Sequence, residues 1–148
     1  MVRSRCATHG DSVQWSWIPT KADSESTRWT SRLAQLRAIA ARSRAPVKAM
    51  LMNQARIAGL GNLLVDEVLW RSAIDPVRDA SSLDAGQQVA LHRAIRTTLR
   101  TLGRRGGSHT GDLMPARIPG GTCPRDGAPL LRRTVGGRTT YSCSSHQI

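Results

Sequence analysis

The chain has 148 residues, of which 39% are hydrophobic and none is phenylalanine, so it can bury one modest core and at most a small second unit stabilised by metal. Its net charge is +12, and every positively charged side chain except Lys21 and Lys48 is an arginine. Because guanidinium groups donate in a rigid fork that matches phosphate oxygens, this composition favours a nucleic-acid ligand over a merely solvated basic surface.

The sequence also indicates a cellular compartment. No apolar run approaches the roughly 20 residues needed to span a bilayer, and no apolar signal segment follows the N-terminus. Cys6, Cys123 and Cys143 cannot all pair with one another, which fits a reducing environment better than a disulfide scaffold. We therefore expect a cytoplasmic, nucleoid-associated protein with no membrane partner.

Residues 1–27 show neither a helical nor a strand period, and we expect an irregular leader. Within it, Cys6 and His9 have the spacing of half a metal site. No second pair of ligands lies nearby in the sequence, so chance explains this spacing better than zinc binding does.

Four helices are predicted in residues 28–107, which we interpret as one helical domain. Apolar residues recur at helical spacing in each helix, and prolines, glycines or polar turns separate them. Pro46 favours the start of the second helix, because its missing N–H costs nothing in a first turn. The expected helices cover residues 30–45, 47–53, 62–74 and 85–102.

The connection between the second and third helices predicts an anion site. Ile57-Ala-Gly-Leu-Gly61 contains two glycines that permit a tight turn, and backbone N–H groups at Gly61 and Asn62 would open the third helix. A phosphate at this helix N-terminus could also accept a hydrogen bond from the Asn62 amide, and Lys48 lies on the preceding helix within reach. The alternative is a helical hairpin that needs its glycines only to turn, with Lys48 solvated.

Residues 108–120 have the proline and glycine content of a linker, and residues 121–148 have the spacing of a zinc ribbon. Cys123-Pro-Arg-Asp126 and Cys143-Ser-Ser-His146 supply a Cys, Asp, Cys, His ligand set for Zn²⁺. This set carries one negative charge fewer than four thiolates, so zinc affinity should be lower without vanishing. The alternative is a metal-free hairpin in which Asp126 and Gly127 merely form a turn.

Together these residues resemble the C-terminal half of the formamidopyrimidine-DNA glycosylase and endonuclease VIII family. The resemblance extends from about Arg28 to the end of the chain, and several short motifs carry it in the family's order. They are Val47-Lys48, Leu51-Met52-Asn53-Gln54, Ile57 to Asn62, Asp66 to Leu69, Ile74-Asp75-Pro76, Gly106-Gly107 and the ribbon through His146-Gln147.

The resemblance implies a mainly α fold, with a helix-two-turn-helix domain followed by a small β-hairpin zinc ribbon. It implies that both parts grip double-stranded DNA around a flipped, damaged nucleotide. It implies further that Lys48 and Asn62 contact phosphates beside the lesion, and that Arg138 at the hairpin tip contacts the same bent backbone.

The chain departs from the family in its N-terminal part. Family members use an N-terminal proline as nucleophile, whereas this chain begins Met1-Val2 and lacks the roughly 120 residues in which the family's β-sandwich would fit. We therefore expect a protein that recognises damaged or abasic duplex DNA without catalysis of its own, and any separate catalytic partner is unknown. The alternatives are an active DNA glycosylase and AP lyase of base excision repair, and a scaffold that binds RNA or protein.

Overall fold

The computed structural model describes residues 25–57 and 59–148, with side chains from residue 32 onward. The leader predicted at residues 1–27 lies almost wholly outside the described residues, as do Cys6 and His9. The described part is mainly helical and ends in a two-stranded antiparallel hairpin, which confirms the expected fold class. The helices are α1 (Glu25–Ala41), α2 (Val47–Leu51), α3 (Asn62–Ser72) and α4 (Ala85–Arg105), and the strands are β1 (Leu130–Val135) and β2 (Arg138–Cys143).

Both ends of α1 and the C-terminal ends of α2, α3 and α4 differ from the predicted ones, and two of these differences have local causes. α2 stops at Leu51 instead of Asn53, because the carbonyl of Asn53 accepts the N–H groups of Arg56 and Ile57 and thereby opens the turn. α4 continues past Leu102 to Arg105 and ends only at Gly106, whose φ of 101° favours glycine. None of the described helices is long and apolar enough to cross a membrane.

The hydrophobic core has two parts that share α3. The larger part fills the space between the four helices, and the smaller part lies beneath the hairpin. Leu69 of α3 belongs to the larger part and its neighbour Trp70 to the smaller one. The buried members of the smaller part are Trp70, Leu113, Cys123, Leu130, Tyr141 and Cys143. α3 therefore fixes the hairpin relative to the helices.

The segment predicted as a linker is folded against α3. It contains two short 3₁₀ turns, Ser108–Thr110 and Met114–Ala116, and Leu113 between them is fully buried. The carboxylate of Glu67 accepts the backbone N–H groups of Asp112 and Leu113 at 3.0 and 2.9 Å. A buried carboxylate of α3 thus organises a segment whose composition indicates only a loose connection.

The hairpin has a two-residue turn. Val135 pairs with Arg138, so Gly136 and Gly137 alone connect the strands, with φ angles of 58° and 74°. Turns with positive φ at both positions match the twist of the flanking strands and strongly favour glycine. Arg138 consequently begins β2 at the tip of the hairpin.

The other end of the hairpin is attached to the end of α3. The side chain of Gln147 donates to the carbonyl of Ile74 at 2.9 Å and accepts the N–H of Cys143 at 2.7 Å. Arg133 of β1 forms an ion pair with Asp75 at 2.6 Å. These contacts leave the Gly-Gly turn pointing back along α3 towards its first residues.

Candidate nucleic-acid interface and metal centre

The side chain of Gln54 bridges the turn before α3. Gln54 accepts the N–H of Gly59 at 3.1 Å and donates to the carbonyl of Leu60 at 2.9 Å. Gly59 has a φ of 89°, which explains why glycine is needed there. Gly61, the N-cap residue of α3, is exposed, and no side chain among the described residues caps this helix end. The first amides of α3 therefore form a partial positive site of the kind that binds phosphate.

The hairpin tip meets this helix end directly. The side-chain amide of Asn62 donates to the carbonyl of Thr139 at 3.2 Å, and Thr139 follows Arg138 in β2. Arg138 itself is exposed. The structure thus brings together three of the four residues that the sequence predicted to bind DNA: Gly61, Asn62 and Arg138. The side-chain oxygen of Asn62 is buried without a partner in the described part of the chain.

Lys48 occupies a different environment from the predicted one. Its side chain is fully buried, and its ammonium group pairs with the carboxylate of Asp66 at 2.6 Å. The same ammonium donates to the hydroxyl of Thr140 at 2.7 Å and to the carbonyl of Thr139 at 3.3 Å. Both the solvated lysine and the phosphate-contacting lysine require an exposed ammonium, whereas here its three protons have acceptors within the protein.

Asp66 is the centre of a buried charge cluster, which consists of Lys48, Asp66 and Arg117. One carboxylate oxygen of Asp66 accepts from Lys48, and the other accepts from Arg117 at 2.7 Å and from the N–H of Tyr141 at 3.3 Å. Burial lowers the pKa of Lys48 and raises the pKa of Asp66, and the ion pair between them opposes both shifts. A second cation on Asp66 favours the charged form of its carboxylate.

A cavity of about 470 Å³ opens beside the start of α3. Backbone from the turn before α3 forms one side of it, and backbone from the segment after α4 forms the other. Its lining residues include Gly59, Gly61, Gly106, Gly107, Leu64 and His109. Because glycine has no side chain, the backbone at these positions is accessible. The cavity lining therefore offers a ligand both peptide groups and apolar side chains.

The four predicted metal ligands converge. One ligand atom from each of Cys123, Asp126, Cys143 and His146 lies within 4.8 Å of the others. A carboxylate oxygen of Asp126 lies 2.7 Å from Nδ1 of His146 and 3.3 Å from Sγ of Cys143. Metal bonds of about 2.0 to 2.3 Å to nitrogen, oxygen and sulfur require separations slightly wider than these, which small side-chain rotations supply. The donor set therefore fits a tetrahedral divalent cation.

Hydrogen bonds with neighbouring residues orient the four candidate metal ligands. Nε2 of His146 lies 3.2 Å from the carbonyl of Trp70, which favours a proton on Nε2 and leaves the Nδ1 lone pair for a metal. The indole N–H of Trp70 donates to Sγ of Cys123 at 3.2 Å, and the N–H of Ser145 donates to Sγ of Cys143 at 3.3 Å. These donors stabilise negative charge on both sulfurs.

Two pKa shifts in this group have clear causes. The N–H of Ala128 and the side chain of His146 stabilise the charged carboxylate, so the pKa of Asp126 lies far below its usual range. Burial raises the pKa of the Cys143 thiol. A bound cation reverses the second effect, because it favours the thiolate as its ligand.

Comparison with known proteins identifies the family. The family model described as the formamidopyrimidine-DNA glycosylase H2TH domain matches residues 23–112, more than half of the chain. The chain belongs to this formamidopyrimidine-DNA glycosylase H2TH family. A relative in Roseiflexus sp. (strain RS-1), named formamidopyrimidine-DNA glycosylase, is 39% identical over 130 residues, which cover 78% of this chain and 46% of that protein.

Two further comparisons support the family membership. A formamidopyrimidine-DNA glycosylase of Thermus thermophilus is 36% identical over 69% of this chain and 44% of its own length. The crystal structure of Lactococcus lactis Fpg with DNA that contains an abasic site matches with a TM-score of 0.69 and 30% identity, over 78% of this chain and 47% of that one. The chain spans about half the length of the curated relatives that it matches.

Sequence reasoning identified the family's turn and ribbon but missed the residues that join them. Asp66, Arg117, Thr140 and Trp70 had no assigned role. One signal was present, because Asp66 and Glu67 interrupt an otherwise apolar stretch of α3, and buried carboxylates need partners. The identities of those partners depend on tertiary contacts that the sequence pattern does not encode.

Proposed function

We propose that the chain binds double-stranded DNA at a damaged or abasic site, through phosphate contacts from Gly61 and Asn62 and from Arg138. The hydrogen bond between Asn62 and the carbonyl of Thr139 carries this proposal, because it places an uncapped helix N-terminus and an exposed arginine side by side. Two phosphate-binding groups so close together suit neighbouring phosphates of one strand. The DNA in the complex of the similar Lactococcus lactis protein supports the same ligand class.

The cavity beside Gly61 supports recognition of a distorted duplex. Its volume of about 470 Å³ lies within the range of roughly 300 to 1,000 Å³ that is typical of small-ligand sites, and it adjoins the proposed phosphate contacts. An unpaired or extruded nucleotide next to those phosphates could enter it, whereas a base stacked within intact duplex could not. Preference for abasic or damaged DNA follows from this placement.

We also propose that the ribbon residues hold Zn²⁺. The ion would be coordinated by Cys123, Asp126, Cys143 and His146. Because all four ligands come from the protein, no position is left for a substrate or a reactive water, and the ion would have a structural role in connecting the hairpin to the loop before it. The smaller core beneath the hairpin has few members, so a metal staple would contribute much of its stability.

The 148-residue chain is proposed to bind without imine chemistry of its own. An imine requires an amine of lowered pKa that can reach the sugar, and Lys48, the only lysine among the described residues, is fully buried against Asp66. Borohydride treatment with abasic duplex should leave no covalent adduct. A trapped adduct would favour the alternative function, a DNA glycosylase and AP lyase, which the names of the longer relatives suggest.

A mobility-shift titration tests the proposal. Abasic-analogue, oxidised-base and intact duplexes should bind in decreasing order of affinity, and Asn62→Ala and Arg138→Ala should each weaken abasic binding by roughly 1 to 3 kcal/mol. Arg132→Ala, which removes another exposed arginine of the same hairpin, is the matched control and should have a smaller effect. Equal losses in Arg138→Ala and Arg132→Ala, with no loss in Asn62→Ala, would leave only non-specific charge, and tighter binding to structured RNA would favour a scaffold function.

A further inference from the structure

We infer that Lys48 and Thr140 are positioning residues that align Arg138 with the N-terminus of α3. Aligned in this way, Arg138 and the helix N-terminus can bind the same DNA backbone together. The inference rests on the proposed function and deepens it. It assigns to Lys48 a role within the protein interior instead of a direct contact with phosphate.

The contacts of Lys48 reach three successive residues at the start of β2. Its ammonium donates to the hydroxyl of Thr140 at 2.7 Å, and that hydroxyl in turn donates to the carbonyl of Arg138 at 2.9 Å. The ammonium also donates to the carbonyl of Thr139, which accepts the Asn62 amide as well. One buried cation therefore holds the backbone that carries Arg138 and the acceptor that holds Asn62.

Asp66 and Arg117 hold Lys48 itself. Both side chains of the Lys48 and Asp66 pair are fully buried, and that of Arg117 is 7% exposed. Buried charges are costly to desolvate and contribute little net stability compared with apolar residues of similar size, so such a cluster is better explained by the geometry it fixes. The geometry fixed here is the junction of α2, α3, the segment after α4 and β2.

A second contact shows how closely the turn approaches α2. A Cβ atom on Gly136 would lie 3.1 Å from the Cβ of Ala49, the residue that follows Lys48. The hairpin tip therefore packs against the same helix that supplies the buried ammonium. The five residues of α2 thus include two that contact the hairpin, Lys48 and Ala49, beside the three that pack into the larger core.

The test is a set of double-variant cycles on DNA binding. Arg138→Ala is measured in the parent, in Lys48→Met and in Thr140→Val, with the abasic-analogue duplex as the probe. Lys48→Met leaves Asp66 paired with Arg117, and Thr140→Val keeps the shape of the side chain and the Lys48 pair while removing the hydroxyl. Thr140→Val thus keeps the test informative should Lys48→Met fold poorly. Circular dichroism and thermal unfolding establish that each variant is folded.

In the parent, Arg138→Ala should weaken binding about tenfold or more. In Thr140→Val and Lys48→Met the same change should weaken binding less than about threefold, because Arg138 is no longer held beside the helix end. Amide hydrogen exchange at residues 138–140 should also be faster in both variants without DNA, while exchange in α4 stays unchanged.

Two different failures are distinguishable. Equal losses from Arg138→Ala in every background, with unchanged exchange at residues 138–140, would overturn the positioning role and leave the proposed DNA footprint intact. No loss from Arg138→Ala in the parent would overturn the proposed function, and the positioning role with it.

Discussion

Asn62 donates its side-chain amide to the backbone carbonyl of Thr139, 3.2 Å away, across a separation of 77 residues in sequence. This bond joins the first residue of α3 to the hairpin tip. The carbonyl that accepts it also accepts Lys48, so a surface contact and a buried cation meet at one oxygen. The proposed DNA-binding surface is therefore a junction between two parts of the chain, and its alignment is a testable property.

Alanine substitutions in the hairpin turn can distinguish the packing of the turn against α2 from backbone strain within the turn. Gly136 and Gly137 both have positive φ, so alanine at either position costs about 1 kcal/mol of backbone strain. Only at Gly136 does the added Cβ also meet α2, at 3.1 Å from Ala49, whereas nothing lies within 4 Å at Gly137. Gly136→Ala should therefore weaken abasic-duplex binding more than Gly137→Ala does, measured by mobility shift at matched protein stability.

Equal effects of the two alanines would mean that the approach of the turn to α2 does not matter for binding. The pair is well matched, because the positions are adjacent, both belong to the turn, and neither substitution changes the charge of the protein.

Metal removal should affect the hairpin more than the helices. One zinc per chain is expected by a colorimetric release assay, and a chelator should lower the thermal stability of the fold, since the four ligands staple the smaller core. His146→Ala should reduce zinc affinity by at least tenfold, and Ser145→Ala, which keeps the backbone N–H that contacts Cys143, should not.

The acidic ligand offers a gain-of-affinity test. Asp126→Cys would give the ligand set a third thiolate, beside Cys123 and Cys143. It should raise zinc affinity above that of the parent, because soft sulfur ligands hold zinc more tightly than a carboxylate does. Unchanged affinity in both Asp126→Cys and His146→Ala would show that these two residues do not coordinate the metal.

Salt dependence should report how many phosphates the protein neutralises. Roughly four to six contacts predict a slope of about −4 to −5 for the logarithm of the binding constant against the logarithm of the salt concentration. Arg138→Ala should make this slope less steep by about one, whereas Asn62→Ala, which removes no charge, should weaken binding at constant slope. A slope near zero would exclude phosphate contact as the main source of affinity.

The half-buried His92 predicts a pH dependence of stability. Burial, followed by the neighbouring charges of Arg96 and Arg32, lowers the pKa of His92 in the folded state. A folded-state pKa below the unfolded value of about 6.5 means that the unfolded chain binds protons first as the pH falls. The contribution of neutral His92 to the free energy of unfolding is therefore complete above about pH 6.5. As the pH falls from about 6.5 to the folded-state pKa, this contribution is lost.

Urea unfolding at pH 5 and pH 7.5 checks this prediction. The free energy of unfolding should fall less between the two pH values in His92→Gln than in the parent. An identical pH dependence in parent and His92→Gln would contradict the assignment.

The sequence predicted what local patterns encode. The third helix begins at Asn62, as its pattern of apolar residues predicted. The spacing within the pairs Cys123 and Asp126, and Cys143 and His146, predicted a metal ligand set, and the folded chain brings these four side chains together. The start of α3 depends on one short segment, and each half of the ligand set is a pair spaced three residues apart, although the two halves lie 17 or more residues apart in sequence. Such features are accessible without a structure.

The role of Lys48 was not accessible in this way. A single lysine near a helix surface is usually solvated, and its burial depends on Asp66, Arg117 and Thr140, which lie 18 or more residues away. For the same reason the segment after α4 was predicted as a linker, although Glu67 fixes its backbone. Long-range partners decided both cases, and neither helical period nor composition encodes them.

The central claim is that Asn62 and Arg138 contact neighbouring phosphates of one DNA strand, and phosphate-ethylation interference on an abasic duplex tests it most directly. In the parent, ethylation should block binding at a short run of phosphates beside the abasic site. Asn62→Ala and Arg138→Ala should each abolish interference at one position, and the two positions should be adjacent or one phosphate apart. Loss at positions a helical turn or more apart, or no change in either variant, would contradict the account.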